Sequence, residues 1–191
     1  MVKFIGNLKA FVAAICFIVG FCCAAVAQDA PDAADGVSDL LALLAQPDLE
    51  NWPAIEAKIR TEWSRSGSAS MDLLLKRAQD AVEAGDIEAA LEHAAALTDH
   101  APDFAEGWNL RASAYFQTGQ YGPALDAIEH ALALNPQHFS ALRGLGYILD
   151  DMGYKKEALA AFESALAIHP HLPDLAQAIE NLSAEVGGQN I

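Results

Sequence analysis

The stretch Trp108–Pro136, WNLRASAYFQTGQYGPALDAIEHALALNP, reads as two amphipathic helices joined by a tight turn. Small Ala112 and Ala124 fall where two helices would approach closely, and Trp108, Tyr115 and Ile128 supply bulk beside them. Small facing large is how the ridges of one helix enter the grooves of another at short separation. Gly119 suits the left-handed conformation that ends a helix. Pro136 lacks the amide that a continuing helix would need, so the chain turns there.

The pattern recurs at a fixed step of 34 residues on either side. Pro102, Pro136 and Pro170 keep it, as do Gly85, Gly119 and Gly153, and Ala90, Ala124 and Ala158. Segments 71–102, 105–136 and 139–170 align without a gap. The third copy carries Leu142, Leu145, Gly146, Leu149, Gly153, Ala158, Phe162, Ala165 and Pro170; the first has Leu74, Ala78, Ala81, Gly85, Ala90, Ala94, Leu97 and Pro102. A period of this length marks one helical hairpin, repeated, that buries its apolar face only against its neighbours.

On these positions the chain resembles the tetratricopeptide repeat family. The resemblance implies an all-α, right-handed superhelical solenoid of three repeats, 71–104, 105–138 and 139–172, and a non-catalytic role in binding proteins or peptides. Leu175, Ile179 and Leu182 place a capping helix over 173–186, followed by a flexible tail, 187–191. The family usually carries Leu where this chain has Arg77 and Arg111; a charge there would need a partner across the hairpin interface, and an acidic one is expected.

Upstream of the repeats the pattern changes. Leu40, Leu43 and Leu44, then Trp52, Ile55, Ile59 and Trp63, give a short helical pair within 38–68, with Pro53 at the first turn of the second helix. It is a candidate degenerate repeat. Residues 28–37, QDAPDAADGV, are too poor in large apolar side chains to order themselves and read as a disordered acidic leader. Lys3 and Lys9, the apolar run 10–27 and the Ala25-Val26-Ala27 site give a signal peptide over 1–27, cut between Ala27 and Gln28. Export follows, to the periplasm if the source is a Gram-negative bacterium. An uncleaved anchor over 10–27 in the inner membrane is the alternative, and only then does a membrane enter as partner.

Cys16, Cys22 and Cys23 all leave with that segment, so neither disulfides nor thiolates serve the mature chain. The full chain has a formal charge of −15; removing Lys3 and Lys9 leaves nine basic against 26 acidic residues, or −17. Such a surface repels phosphate backbones, which excludes nucleic acid and favours basic partners.

In the family, the second, fifth, ninth, twelfth and thirteenth positions of each repeat face the inside of the superhelix. The resemblance therefore implies a groove built from Asp72, Leu75, Gln79, Val82 and Glu83; then Glu106, Asn109, Ser113, Phe116 and Gln117; then Ser140, Arg143, Tyr147, Asp150 and Asp151. An amide such as Asn109 bonds a peptide backbone as donor and acceptor, and Phe116 and Tyr147 offer rigid apolar area. Some relatives clamp a terminal carboxylate with basic side chains at positions filled here by Leu75, Gln79, Leu110, Ser140 and Gly144; none is basic.

No catalytic motif, cofactor fingerprint or small-molecule substrate site emerges. Gly144-Leu145-Gly146 sits in a helical period with no strand before it, and Asp150 and Asp151, adjacent on a helix, diverge. His93, His100, His130, His138, His169 and His171 read as solvated loop side chains, and no metal site is expected. The reading is a peptide- or protein-binding scaffold of the cell envelope. Its alternative is an assembly role, with repeats stacking into homo-oligomers or tethered to a membrane.

Overall fold

The computed structural model describes residues 36–188, which lie within one compact unit. The signal segment 1–27 and its Ala27–Gln28 site, the leader up to residue 35 and the last three residues lie outside the described residues. Nine helices follow one another among the described residues: α1 Val37–Leu44, α2 Trp52–Trp63, α3 Ala69–Glu83, α4 Ile87–His100, α5 Ala105–Gln117, α6 Tyr121–Leu134, α7 Phe139–Asp151, α8 Lys155–Ile168 and α9 Pro173–Gly188.

Each period folds as a hairpin, α3–α4, α5–α6 and α7–α8, with the second helix of one packed on the first helix of the next. First helices also touch along the stack, α3 to α5 and α5 to α7, and α9 covers α8. The result is an all-α helix-turn-helix solenoid with a C-terminal capping helix. α9 runs through Gly188, two residues beyond the expected end at 186.

The turns follow from the glycines. Gly85, Gly119 and Gly153 have φ of 74°, 70° and 82°, values that side chains with a Cβ rarely adopt. At Gly119, its amide donates to Phe116 O at 2.9 Å and the Gln120 amide to Tyr115 O at 3.0 Å. These bonds satisfy carbonyls that the end of α5 would otherwise leave open.

The cores show the expected complementarity. Ala78, Ala90, Ala124 and Ala158 are fully buried, as are Ile128 and Phe162. Gly146 is required by contact: a Cβ there would stand 2.3 Å from ring atoms of Phe162. Trp108, expected in the core, is half-buried. Its Nε1–H donates to Pro102 O at 2.9 Å and its ring stacks on His130 at 4.3 Å between centroids. A buried indole N–H needs an acceptor, and here the inter-repeat loop supplies one at the surface. Arg111 does reach the preceding hairpin, but its Nη1 donates to the Thr98 hydroxyl at 2.9 Å rather than to an acid. Its guanidinium lies over the Trp108 and Tyr115 rings, which accept a cation while sparing the cost of a buried carboxylate.

The pair α1–α2, hereafter the arm, shares a buried cluster with the third hairpin. Leu40, Leu41, Leu44, Ile55 and Ile59 close around Phe139, with Ile168 at the edge. Trp63 stacks on His138 at 4.4 Å, and Trp52 lies parallel to His171 at 5.5 Å. This docking corrects the reading of the histidines. His138 is 1% exposed and His169 0%, because the arm's tryptophans cover the turns after Asn135 and Ile168. His138 Nδ1 accepts from the Ala141 amide at 3.2 Å and so caps α7, which leaves the proton on Nε2, 2.8 Å from Glu106 Oε2. His171 Nε2–H donates to Gln46 O at 3.0 Å, tying the loop of the arm to the last turn of the array.

Candidate peptide-binding groove

The first helices of the second and third hairpins bring one set of expected groove residues together. Asn109, Ser113 and Phe116 from α5 face Ser140, Arg143 and Tyr147 from α7 across a recess of about 290 Å³. Ala112, Ile128 and Ile148 form its apolar lining, and Gly144 lets the recess run close to the α7 backbone. Polar groups around a small apolar floor are the usual composition of a recognition site.

Several of these side chains are held in place. Asn109 Nδ2 donates to Glu106 Oε1 at 3.5 Å, and Glu106 is in turn engaged by His138. Tyr147 donates to Asp174 Oδ2 at 2.9 Å, and the same carboxylate oxygen lies 3.7 Å from Arg143 Nη1. The capping helix thus fixes one wall of the recess. Burial, then the bond and charge of Asp174, push the Tyr147 phenol up, which keeps it a donor. The Ser140 hydroxyl is sealed from water and has no hydrogen-bond partner within the protein.

Gln117 and Asp150 do not join this recess. Gln117 is exposed at the end of α5. Asp150 is engaged by Lys155, which also approaches Glu185 of α9 at 3.7 Å. In the first hairpin Leu75 is 2% exposed and belongs to the core with Ala78 and Leu97, so it offers nothing to a ligand.

Arg60 is the lining residue that repeat register cannot supply. It comes from α2, outside the repeats, and its guanidinium lies 5.4 Å from the centre of the Phe139 ring. Its Nε donates to Glu56 Oε1 at 2.7 Å, and Nη2 approaches the same oxygen at 2.7 Å. Burial pushes the Glu56 carboxyl up, but Arg60 and His169 together outweigh it and hold the group below its ordinary 4.5. His169 Nε2 lies 3.4 Å from Glu56 Oε2, and burial, opposed by Glu56, keeps the imidazole below its ordinary 6.5. In sequence, the Glu56–Arg60 pair looks like an ordinary solvated i,i+4 contact, and nothing distinguishes it from its neighbours.

The described residues contain no group of three metal-ligating His, Cys, Asp or Glu side chains. Stacked helical hairpins with a lined inner face define a helical repeat protein. The chain belongs to the tetratricopeptide repeat family, whose model matches residues 75–129 and 116–173. A TPR repeat-containing protein of Rhizobium etli is 35% identical over 146 residues, covering 76% of this chain and 72% of that relative. The first TPR of Spaghetti (RPAP3) bound to the HSP90 peptide SRMEEVD is similar in fold, with TM-score 0.59, 20% identity, and 61% of this chain and 93% of that one covered. The Sgt2 TPR domain from Aspergillus fumigatus gives TM-score 0.60 at 22% identity over 64% of this chain and 83% of that domain.

Proposed function

We propose that the chain is a scaffold that binds an extended peptide segment of a partner protein across the recess between α5 and α7. The observation that carries this reading is the convergence of Asn109, Ser113, Arg143 and Tyr147 from two different repeats on one lined hollow. An amide beside hydroxyls can meet a peptide backbone in both bonding directions, and Phe116 and Ile148 supply apolar contact. A similar fold, that of the RPAP3 domain, has been solved with a peptide bound. The formal charge of −15 favours partners that are basic over their length.

The proposed setting is the cell envelope, reached by cleavage of residues 1–27. Mass spectrometry of the mature protein tests it: an N-terminus at Gln28 supports export with release, and a chain retaining 10–27 supports an anchor. For the groove, affinity capture from the native source with wild type and the pair Asn109→Ala/Arg143→Ala is decisive. Loss of the captured partner in the double variant is expected. Equal recovery by both forms would contradict the assignment of the groove.

A further inference from the structure

The arm is joined to α3 by residues 64–68, yet its apolar cluster closes on the third hairpin, around Phe139 and against Ile168. Beside that cluster the seam is built of imidazole. Trp63 stacks on His138, Trp52 lies against His169 and His171, and His171 Nε2–H donates to Gln46 O at 3.0 Å. Two of the three rings stand where a neutral imidazole fits and an imidazolium does not. His138 accepts at Nδ1 from the Ala141 amide, a bond that a second ring proton would abolish. His169 is fully buried and neither ring nitrogen has a hydrogen-bond partner within the protein, Glu56 Oε2 lying 3.4 Å from Nε2. An imidazolium carries two donors, and an unmet donor sealed from water costs free energy. The groups facing His169 are Glu56 and Arg60 of α2 and His171 of its own loop, with the Trp52 and Phe139 rings against it. Burial opposes a proton there, joined by His171 and Arg60; Glu56 favours one and is outweighed.

We infer that the arm is an acid-released wall of the recess, docked while the buried imidazoles of the seam are neutral and freed when protons enter it. Once the arm swings away, both rings reach water, where the charged form is solvated. Arg60 leaves the recess with α2, and the hollow loses one side. The array keeps its shape, because Leu97, Ile128 and Phe162 lie in clusters of the hairpins and not in the seam. The sign follows from proton counting. A released arm binds more protons than a docked one, so release gains as pH falls below 6.5, the ordinary value for the ring. One such proton raises the ratio of released to docked arm by up to roughly tenfold per pH unit. The consequence for a bound segment, which loses a wall of its site in acid, rests on the proposed groove. The latch itself does not.

The test therefore uses the full chain without ligand. Hydrogen–deuterium exchange at pH 7.5 and 5.5, corrected for the intrinsic pH dependence of amide exchange, is read over 37–44 and 52–63, with α4 and α6 as reference. Expected at pH 5.5 is up to roughly tenfold faster exchange in the arm, while α4 and α6 stay unchanged. His169→Gln, whose amide stays neutral, should keep the slow exchange of the docked arm at both pH values. If that variant no longer docks its arm at pH 7.5, the wild-type ring decides. Its proton resonance, identified by its loss in His169→Gln, should titrate below 6.5 in step with exchange of the arm. Equal exchange of the arm at the two pH values would overturn the latch. So would a His169 ring that titrates without the arm, or acceleration of α4 and α6 alongside it. None of these results touches the groove. Equal partner recovery by Asn109→Ala/Arg143→Ala, which contradicts the groove, leaves the latch standing.

Discussion

In the third hairpin Phe162 is fully buried against Gly146, and the surrounding core is made of Ala158, Ala165, Leu175 and Leu182. In the arm, by contrast, the largest side chains, Trp52 and Trp63, are half-buried and rest on imidazole rings. Hairpins of the array are held chiefly by close-packed apolar volume, with the Glu106–His138 contact as a polar link between the second and the third. The arm adds to its own Leu–Ile cluster a seam of histidine, glutamate and indole that sits over the turns of its neighbours. The first kind of contact defines the solenoid; the second kind attaches a module to it whose hold depends on conditions. That difference matters for function because the arm carries Arg60 into the recess.

The largest expected effect lies in the array. Phe162→Ala should cost about 3–5 kcal/mol in chemical denaturation, the usual range for truncating a buried aromatic. A loss well under 1 kcal/mol would refute the packing of α7 on α8. For Trp63→Ala, about 2 kcal/mol is expected because the ring is only partly covered. Its effect should be local: faster proteolysis near Gly67, where the chain leaves the arm, with the array's own melting nearly unchanged. If both transitions fall together, arm and array are one cooperative unit and the contrast fails.

A smaller and more pointed effect is expected at Gly146. Alanine there gains about 1 kcal/mol of helix propensity, yet its methyl would stand 2.3 Å from the Phe162 ring. Overpacking of this kind costs about 1–3 kcal/mol, so Gly146→Ala should be destabilising on balance. A stabilised variant would show that α7 and α8 approach less closely than described.

The pH prediction separates the two regions most cleanly. His169 has its proton affinity lowered in the folded protein, so the docked arm binds fewer protons than the released arm. That contribution is fully present above 6.5 and is lost as pH falls below it. Glu56, also lowered, adds a second loss below 4.5. The groups facing His169 are Glu56 and Arg60 of α2 and His171 of the adjoining loop, with Trp52 and Phe139 against its ring. Between pH 7.5 and 5.5, protease sensitivity of the 64–68 connection should rise while the far-ultraviolet helix signal stays nearly constant. His169→Gln should flatten that dependence. Equal sensitivity at both pH values would show that the seam does not titrate as described.

Much of the array was legible in the amino-acid sequence because its contacts repeat. A glycine at 85, 119 and 153, with alanines in register, leaves few other solutions for hairpins that must cover one another. Six of the expected groove residues, Asn109, Ser113, Phe116, Ser140, Arg143 and Tyr147, line one recess. What was hidden is everything that depends on the arm. Its docking uses no period, so nothing in the order of residues pairs Trp63 with His138 or Trp52 with His171. Arg60 sits four residues after Glu56 like any exposed helical ion pair. Gln117 and Asp150 share a helix face with true lining residues, yet solvent or Lys155 takes them instead. Register places a residue on a face, whereas only tertiary contacts decide which part of that face is enclosed.

The central claim is that ligand is held on the first-helix face between the second and third hairpins, with the arm as a side wall. Hydrogen–deuterium exchange with and without a captured partner tests it most directly. Protection should concentrate in 105–117 and 139–151, with a further gain over 55–63. Protection centred on α4, α6 and α8, with those three segments unchanged, would contradict the account.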